Sequence, residues 1–471
     1  MRPWRKKILV ILLSVFCLWL IGSLWYMHKA LPVFLGYAAK TLCSGVFISG
    51  RNPQAVFRDD IAPMTSFIPW IRSAVHSREG LVTVDLAGMF RRRASFRSGC
   101  GCTLAVDAAG DQFRIKIEAQ TLAKRPPNSD GLWPQGSGET LRPLPEAVDR
   151  QELAVVLESA FVKETPDKAA MTRAMVVVYD GKLIGERYAA GFHKDMALAG
   201  WSMSKSVTNA LVGILVNQQR LSLDEPAPVQ AWQGSADPRR AITLDQLLRM
   251  SSGLKFSEVY VPPSDVTAML FMQRDFAAFA AGMPLVSAPE ATWRYSSGTT
   301  NIIAGIIRRT VEKEYGSLNR FARRELFDKL NMHSVVMEMD PSGTFVGSSY
   351  TFATARDWAR FGLLYLQEGI WQGQKILPTG WVKYSRTPTP AAPSGKYGAH
   401  FWLNAGSPGN QSGRPWPRLP RDMFYAQGFQ GQYLIIIPSK HLVLVRLGCD
   451  SKPAAWDMQG FVSDLLATIH R

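Results

Sequence analysis

The stretch "GWSMSKSVTNALVGIL", residues 200–215, places Ser202 and Lys205 three apart at the head of an apolar helical run. Residues i and i+3 share a helix face, so a hydroxyl and an amine at that spacing can meet. A serine becomes a nucleophile only when a neighbour takes its proton, and lysine does so when burial brings its pKa down toward working pH. The flank of Trp201, Met203, Val207 and Leu211 predicts that burial. A serine at a helix start also presents its own N–H, which lacks an intrahelical acceptor, to a developing oxyanion. A second Ser-x-x-Lys, Ser252 and Lys255, has Gly253 directly after the serine and reads as a helix end. Ser202 and Lys205 are therefore the candidate nucleophile and proton acceptor.

Two later segments add to this pair. In "WRYSSGTTNIIAGII", residues 293–307, Tyr295 precedes two serines and a glycine that lead into a helix. A tyrosine beside a cation serves as a phenolate base or relays a proton to the leaving group. In "YAQGFQGQYLIIIPS", residues 425–439, Gly428 and Gly431 open a strand, where a substrate backbone approaches closely and meets a free amide. The Gly-x-Ser-x-Gly elbow of α/β-hydrolases is absent.

Taken in order, Ser-x-x-Lys, Tyr-x-Ser and a glycine-rich strand opening resemble the serine β-lactamase and penicillin-binding protein superfamily. "WSMSKSVTNALVGIL", "LLRMSSGL", "WRYSSGTTN", "ATARDWARFGLLYL" and "FYAQGFQGQYLIIIPS" are most similar to its class C-like branch, which includes 6-aminohexanoate-dimer hydrolases and related esterases. The resemblance covers residues 130–471. It implies an α+β fold, an antiparallel sheet flanked by helices with a helical subdomain, and a serine hydrolase that cleaves an amide or ester of a small substrate. Ser202 then matches the acylated nucleophile, Lys205 its proton acceptor and Tyr295 the general acid/base. Ser297 stands in the place of the second motif's asparagine. The third motif, Lys- or His-Thr/Ser-Gly, falls on Phe429, Gln430 and Gly431, with the Gln432 N–H completing the oxyanion hole. Phe429 occupies the cation's position, which weakens carboxylate binding and with it β-lactam or D-Ala-D-Ala chemistry. The two rival readings are a cell-wall D,D-peptidase or β-lactamase and a non-catalytic homologue that binds envelope peptides.

The elements that must position these groups are legible around them. "AMVVVYDGKLIGERY" reads as a hairpin across Asp180-Gly181. "LDQLLRM", "NIIAGIIRRTVEKEY" and "ATARDWARFGLLYLQEG" carry helical periodicity. "QYLIIIPS" and "HLVLVRLG" are strands, and an amphipathic helix closes the chain over 454–470. Strands from both ends of residues 150–471 predict one antiparallel sheet covered by helices. Before it, 124–149 is rich in Pro, Gly and Ser and reads as a linker. Residues 30–123 carry strand-like runs, "LVTVDLAGMF" and "FRIKIEA".

Residues 8–27, "ILVILLSVFCLWLIGSLWYM", are uncharged and follow a basic flank at 1–7. At 1.5 Å per residue they span about 30 Å, the thickness of the bilayer's hydrocarbon core. The basic flank predicts a cytoplasmic N-terminus and a periplasmic or extracytoplasmic body. The run is bulky and lacks a small-x-small site, which favours an uncleaved anchor over a signal peptide. Of five cysteines, Cys17 lies in this run. Cys43, Cys100, Cys102 and Cys449 allow three pairings, of which a bond from Cys43 to Cys100 or Cys102 would staple the first segment together. No histidine sits at ligand spacing, so neither metal nor organic cofactor is expected. The net charge of +16 is scattered apart from Arg91–Arg93 and fits a solvated surface near anionic lipid or envelope polymers rather than a nucleic-acid module. Oligomeric state is not legible.

Overall fold

The computed structural model describes residues 3–65, 68–106, 131–136, 138, 144–161, 170–407, 413–452 and 454–470. The expected strand "FRIKIEA" and much of the 124–149 stretch lie outside the described residues.

The first element is a single helix, α1 (Pro3–Phe47), with Pro32 inside it. Its stretch from Val10 is long and apolar enough to cross a membrane. Large apolar side chains from Val10 to Tyr26 are exposed around the helix, whereas Leu31, Leu35, Ala38, Ala39 and Leu42 are buried. The same helix therefore leaves its apolar segment and enters the folded body without an intervening loop. The buried half packs on a four-stranded antiparallel meander of β1 (Ile71–His76), β2 (Leu81–Leu86), β3 (Met89–Arg97) and β4 (Gly101–Ala105). A Cys43–Cys102 disulfide joins helix to meander and settles the pairing; Cys100 and Cys449 are buried free thiols.

This N-terminal unit is welded to the rest of the protein. Lys40 pairs with Glu338 in a buried contact, and Asp60 is clamped between Arg51 and Arg173. Buried ion pairs cost desolvation, and breaking one leaves a bare charge worth about 3–5 kcal/mol, so these contacts fix register more than they add stability.

After α2 (Arg150–Ser159) come β5 (Thr172–Tyr179) and β6 (Lys182–Tyr188), joined through Asp180 and Gly181, both at positive φ as a tight hairpin requires. α3 (Ser204–Asn217), α4 (Asp265–Met272), α5 (Ser297–Tyr315) and α6 (Ala355–Leu366) form the helical part. The chain ends with β7 (Trp402–Leu403), β8 (Phe424–Gly428), β9 (Gln432–Ile437), β10 (Leu442–Gly448) and α7 (Met458–Ala467). The main sheet is antiparallel in the order β7-β8-β9-β10-β5-β6, so strands from both ends meet at β10 and β5.

Alternation sorts the two cores. Leu434, Ile436, Val443, Val445, Val176 and Val178 face α3, α5 and α6, while Ile435, Ile437, Leu442, Leu444, Met175 and Val177 face α2 and α7. The described part of the 124–149 stretch is packed: Trp133 is buried under the Arg360 guanidinium, whose nitrogens donate to Pro134 O (2.9 Å) and Gly136 O (2.8 Å).

Candidate active site

Ser202 lies in a 3₁₀ turn, Trp201–Met203, that runs directly into α3. Trp201 adopts φ +47°, left-handed backbone that only a well-braced turn holds. The bracing comes from Ser204: its hydroxyl donates to Trp201 O (2.7 Å) and accepts from the Thr351 N–H (3.0 Å). The polar Ser204 therefore holds the turn, and Ser202 faces the cleft.

Lys205 is one turn on and 1% exposed. Its Nζ donates to Ser202 Oγ (3.0 Å), Ser297 Oγ (3.1 Å) and Ser348 O (3.1 Å) and lies 4.7 Å from the Tyr295 ring centroid. Burial lowers its pKa from 10.5 to about 8, against a smaller upward pull from Glu258. Once the amine is neutral, two N–H bonds retained on Ser297 and Ser348 turn its lone pair toward the Ser202 hydroxyl.

Tyr295 is stacked on Trp402 (5.2 Å between ring centres) and within hydrogen-bond reach of Ser202. Burial, reinforced by Glu258, pushes its pKa far above the usual phenol range. It keeps its proton at neutral pH, so a relay role suits it better than a phenolate base. Ser297 opens α5, capped by Ser296, and is fully buried beneath Lys205.

Glu258, which the sequence reading did not single out, anchors this layer. Its carboxylate accepts the Ser297 N–H (2.7 Å) and hydroxyl (2.5 Å) and the Tyr260 hydroxyl (3.3 Å). An anion there complements the N-terminus of α5. His400 was equally unmarked; its Nδ1 faces Lys205 O (2.9 Å), its Nε2 faces Thr300 Oγ1 (3.1 Å), and burial lowers its pKa to about 3. It is a neutral strut between α3 and α5.

The third segment sits differently from the expectation. Phe429, Gln430 and Gly431 form the β8–β9 turn, and all three line the cleft of about 480 Å³ that holds Ser202, Tyr260, Tyr295 and Trp402. Phe429 is stacked on Tyr260 (5.3 Å) and edge-on to Trp201 (5.5 Å), so the cleft wall here is aromatic. Gln432 pairs with Gly428 across the hairpin, and its side chain donates to Phe429 O (3.1 Å), Gln430 O (3.2 Å) and Gly448 O (2.8 Å). It lines a separate crevice with Lys40, Arg51 and Asp60. The glycine pressed on the Ser202 turn is Gly428, where a Cβ would come within 2.1 Å of Gly200 O.

Comparison with known proteins follows this geometry. The Beta-lactamase family profile matches residues 159–457, more than half of the chain. The chain is similar to the 6-aminohexanoate-dimer hydrolase of Paenarthrobacter ureafaciens, 25% identical over 358 residues, 69% of this chain and 87% of the relative. Among solved structures it resembles a Bacillus anthracis protein provisionally assigned as a 6-aminohexanoate-dimer hydrolase (TM-score 0.53, 22% identity, 68% of this chain and 83% of the other). It also resembles a family VIII carboxylesterase (TM-score 0.51, 12% identity, 68% and 96%). These likenesses establish the fold, and the named homologues are hydrolases. On its sequence match and its architecture, the chain belongs to the beta-lactamase family.

Proposed function

We propose that this protein is a serine hydrolase that cleaves an amide or ester of a small substrate through an acyl-enzyme on Ser202. The observation that carries the reading is the buried Lys205 amine, 3.0 Å from Ser202 Oγ and drawn down to about 8. Neutral Lys205 accepts the Ser202 proton as Oγ attacks the carbonyl. The oxyanion forms beside the Ser202 N–H and the strand end pressed on the same turn, which makes the Phe429 N–H the second donor in place of Gln432. Tyr295, holding its proton, passes it to the leaving amine or alkoxide and recovers one from the Lys205 ammonium, which leaves Lys205 neutral to accept a proton from the water that deacylates the enzyme. The named activities of the relatives support amide and ester cleavage alike. The aromatic wall of Phe429 and Tyr260 speaks for an apolar acyl group over a carboxylate ligand.

The same reading makes residues 8–27 an uncleaved anchor, supported by the unbroken helix from the exposed apolar segment into the disulfide-bonded body. The Cys43–Cys102 bond supports an oxidising, extracytoplasmic setting for residues 30–471. The same proposal takes residues 150–471 as the catalytic unit, a reading supported by the family match over 159–457.

The test is a fluorophosphonate probe followed by peptide mass spectrometry, with p-nitrophenyl ester turnover alongside. The reading expects the adduct on Ser202 and loss of turnover in Ser202→Ala. An adduct elsewhere, or unchanged turnover in Ser202→Ala, refutes the nucleophile. Efficient labelling by a fluorescent penicillin would favour the cell-wall enzyme instead.

A further inference from the structure

Beyond the helix itself, the geometry points to a second membrane contact: we propose that the β2–β3 hairpin tip, Ala87–Phe90, rests in the headgroup layer of an anionic bilayer. This rests on the reading of residues 8–27 as a retained anchor. Where α1 stops being exposed it is already packed, since Tyr26 is 41% exposed and Leu31 only 6%. The bilayer surface must therefore lie at the edge of the folded body.

The height of the tip follows from three contacts. Phe96 in β3 stacks on Phe47 at the end of α1 (5.2 Å). Leu104, the cross-strand partner of Ala94, lies against Gly36. β3 followed from Phe96 to Met89 thus runs back along α1 toward its N-terminus. The five residues from Ala94 to Met89 cover about 16 Å of strand, equal to about eleven residues of helix. Counted from Gly36, the tip arrives level with Trp25 and Tyr26, the aromatic pair that ends the apolar run.

Composition fits that level. Met89 is 58% exposed and Phe90 41%, and Trp70, also exposed, is joined to the tip where its carbonyl accepts the Ala87 N–H (2.8 Å). A soluble surface gains nothing by presenting three large apolar side chains from the tip and the segment joined to it, whereas an interface does. Behind them Arg72, Arg91 and Arg93 form a basic collar on β1 and β3, with Arg91 paired to Asp85, while Arg92 turns inward and donates to Val106 O (3.3 Å) and Met272 Sδ (3.0 Å). An apolar tip with a basic collar is complementary to acyl chains beneath anionic headgroups, where each arginine contributes about 1 kcal/mol. A bilayer is the occupant because the tip is continuous with the spanning helix and at its exit level. One helix alone leaves the body free to turn about its axis; a second contact fixes its orientation. Trp201, beside the nucleophile, stacks on Tyr37, so the site is held about 16 Å along α1 from Tyr26.

The test uses the full chain in vesicles of phosphatidylcholine and phosphatidylglycerol, with an environment-sensitive label on single cysteines in a Cys17→Ser background. A label at Met89→Cys is expected to be quenched by doxyl-labelled lipid and shielded from iodide. A label at Gln151→Cys, on α2 at the opposite face of the main sheet, is expected to show the reverse. Omitting phosphatidylglycerol is expected to reduce the shielding at position 89 at least twofold. A third label, Leu18→Cys, separates the two readings. If position 18 is quenched by lipid and position 89 behaves like position 151, the hairpin contact is refuted and the anchor stands. If position 18 is not quenched, the anchor reading fails and the hairpin proposal fails with it.

Discussion

Replacing Glu258 by Gln tests the electrostatics of the site directly. Glu258 reaches Lys205 through Ser297, across hydrogen bonds of 2.5 and 3.1 Å, and its charge is the influence that keeps the ammonium favoured against burial. An opposite charge about 5–6 Å away at an effective dielectric of about 20 is worth about 3 kcal/mol, or about two pH units. The working form is the neutral amine, so kcat/KM for a p-nitrophenyl ester is expected to rise with pH through about 8 in the native protein. In Glu258→Gln the ammonium loses its counter-charge, Lys205 releases its proton sooner, and the limb moves to lower pH by about one to two units. The replacing amide still offers its carbonyl oxygen to Ser297 as an acceptor, and circular dichroism at matched temperature checks that the fold survives. A limb that stays at about 8 refutes the coupling, and one that moves upward reverses the sign of the argument. Complete loss of turnover with the fold intact makes Glu258 itself the base and displaces Lys205.

Lys205→Met is expected to abolish turnover yet leave the fold as stable or more so. The fall from 10.5 to about 8 is about 3 kcal/mol carried against the folded state wherever both states are charged. Because this pKa is depressed, the cost is full below pH 8 and disappears as pH rises from 8 toward 10.5. The melting-temperature advantage of the variant should shrink over that window. Tyr295→Phe removes the relayed proton and is expected to lower kcat by about 10²–10³ with little change in KM, read by steady-state kinetics. Phe429→Lys introduces the cation absent from the cleft wall. Labelling by a fluorescent penicillin should increase about tenfold, the value of one charge-assisted hydrogen bond. Cys43→Ser with Cys102→Ser opens a loop of 59 residues, and the chain-entropy estimate of about 4 kcal/mol predicts a clear fall in denaturation midpoint.

What the sequence revealed and what it hid divide along the range of the interactions involved. Ser202 and Lys205 were legible because i and i+3 on one helix meet whatever the rest of the fold does. Ser297 was legible only through the family resemblance, as the residue in the place of the second motif's asparagine. The sheet was legible because the uninterrupted apolar runs Tyr433–Ile437 and Leu442–Val445 are strand-length, β-branched-rich and bounded by turn residues, as strands buried on both faces must be. Glu258 was not, since a loop glutamate has no periodicity and gains its meaning only when Ser297, 39 residues later, offers it an N–H and a hydroxyl. Gly428 and Gly431 are equally permissive in sequence, so the choice between them for the third segment had no local basis. The deciding contact is Gly428 against Gly200 O, a meeting of two backbones 228 residues apart. In α1, tertiary packing overrides a local preference. Pro32 argues locally for a break, yet the helix continues because Leu35, Ala38 and Leu42 are buried and Cys43 is bonded to β4. Tertiary packing outweighs a proline's cost of about 3 kcal/mol when a whole helix face is buried. That continuity gives the protein its most consequential geometry, because one unbroken helix joins the exposed apolar segment to the cleft: Tyr37, on that helix, stacks on Trp201, the residue next to Ser202.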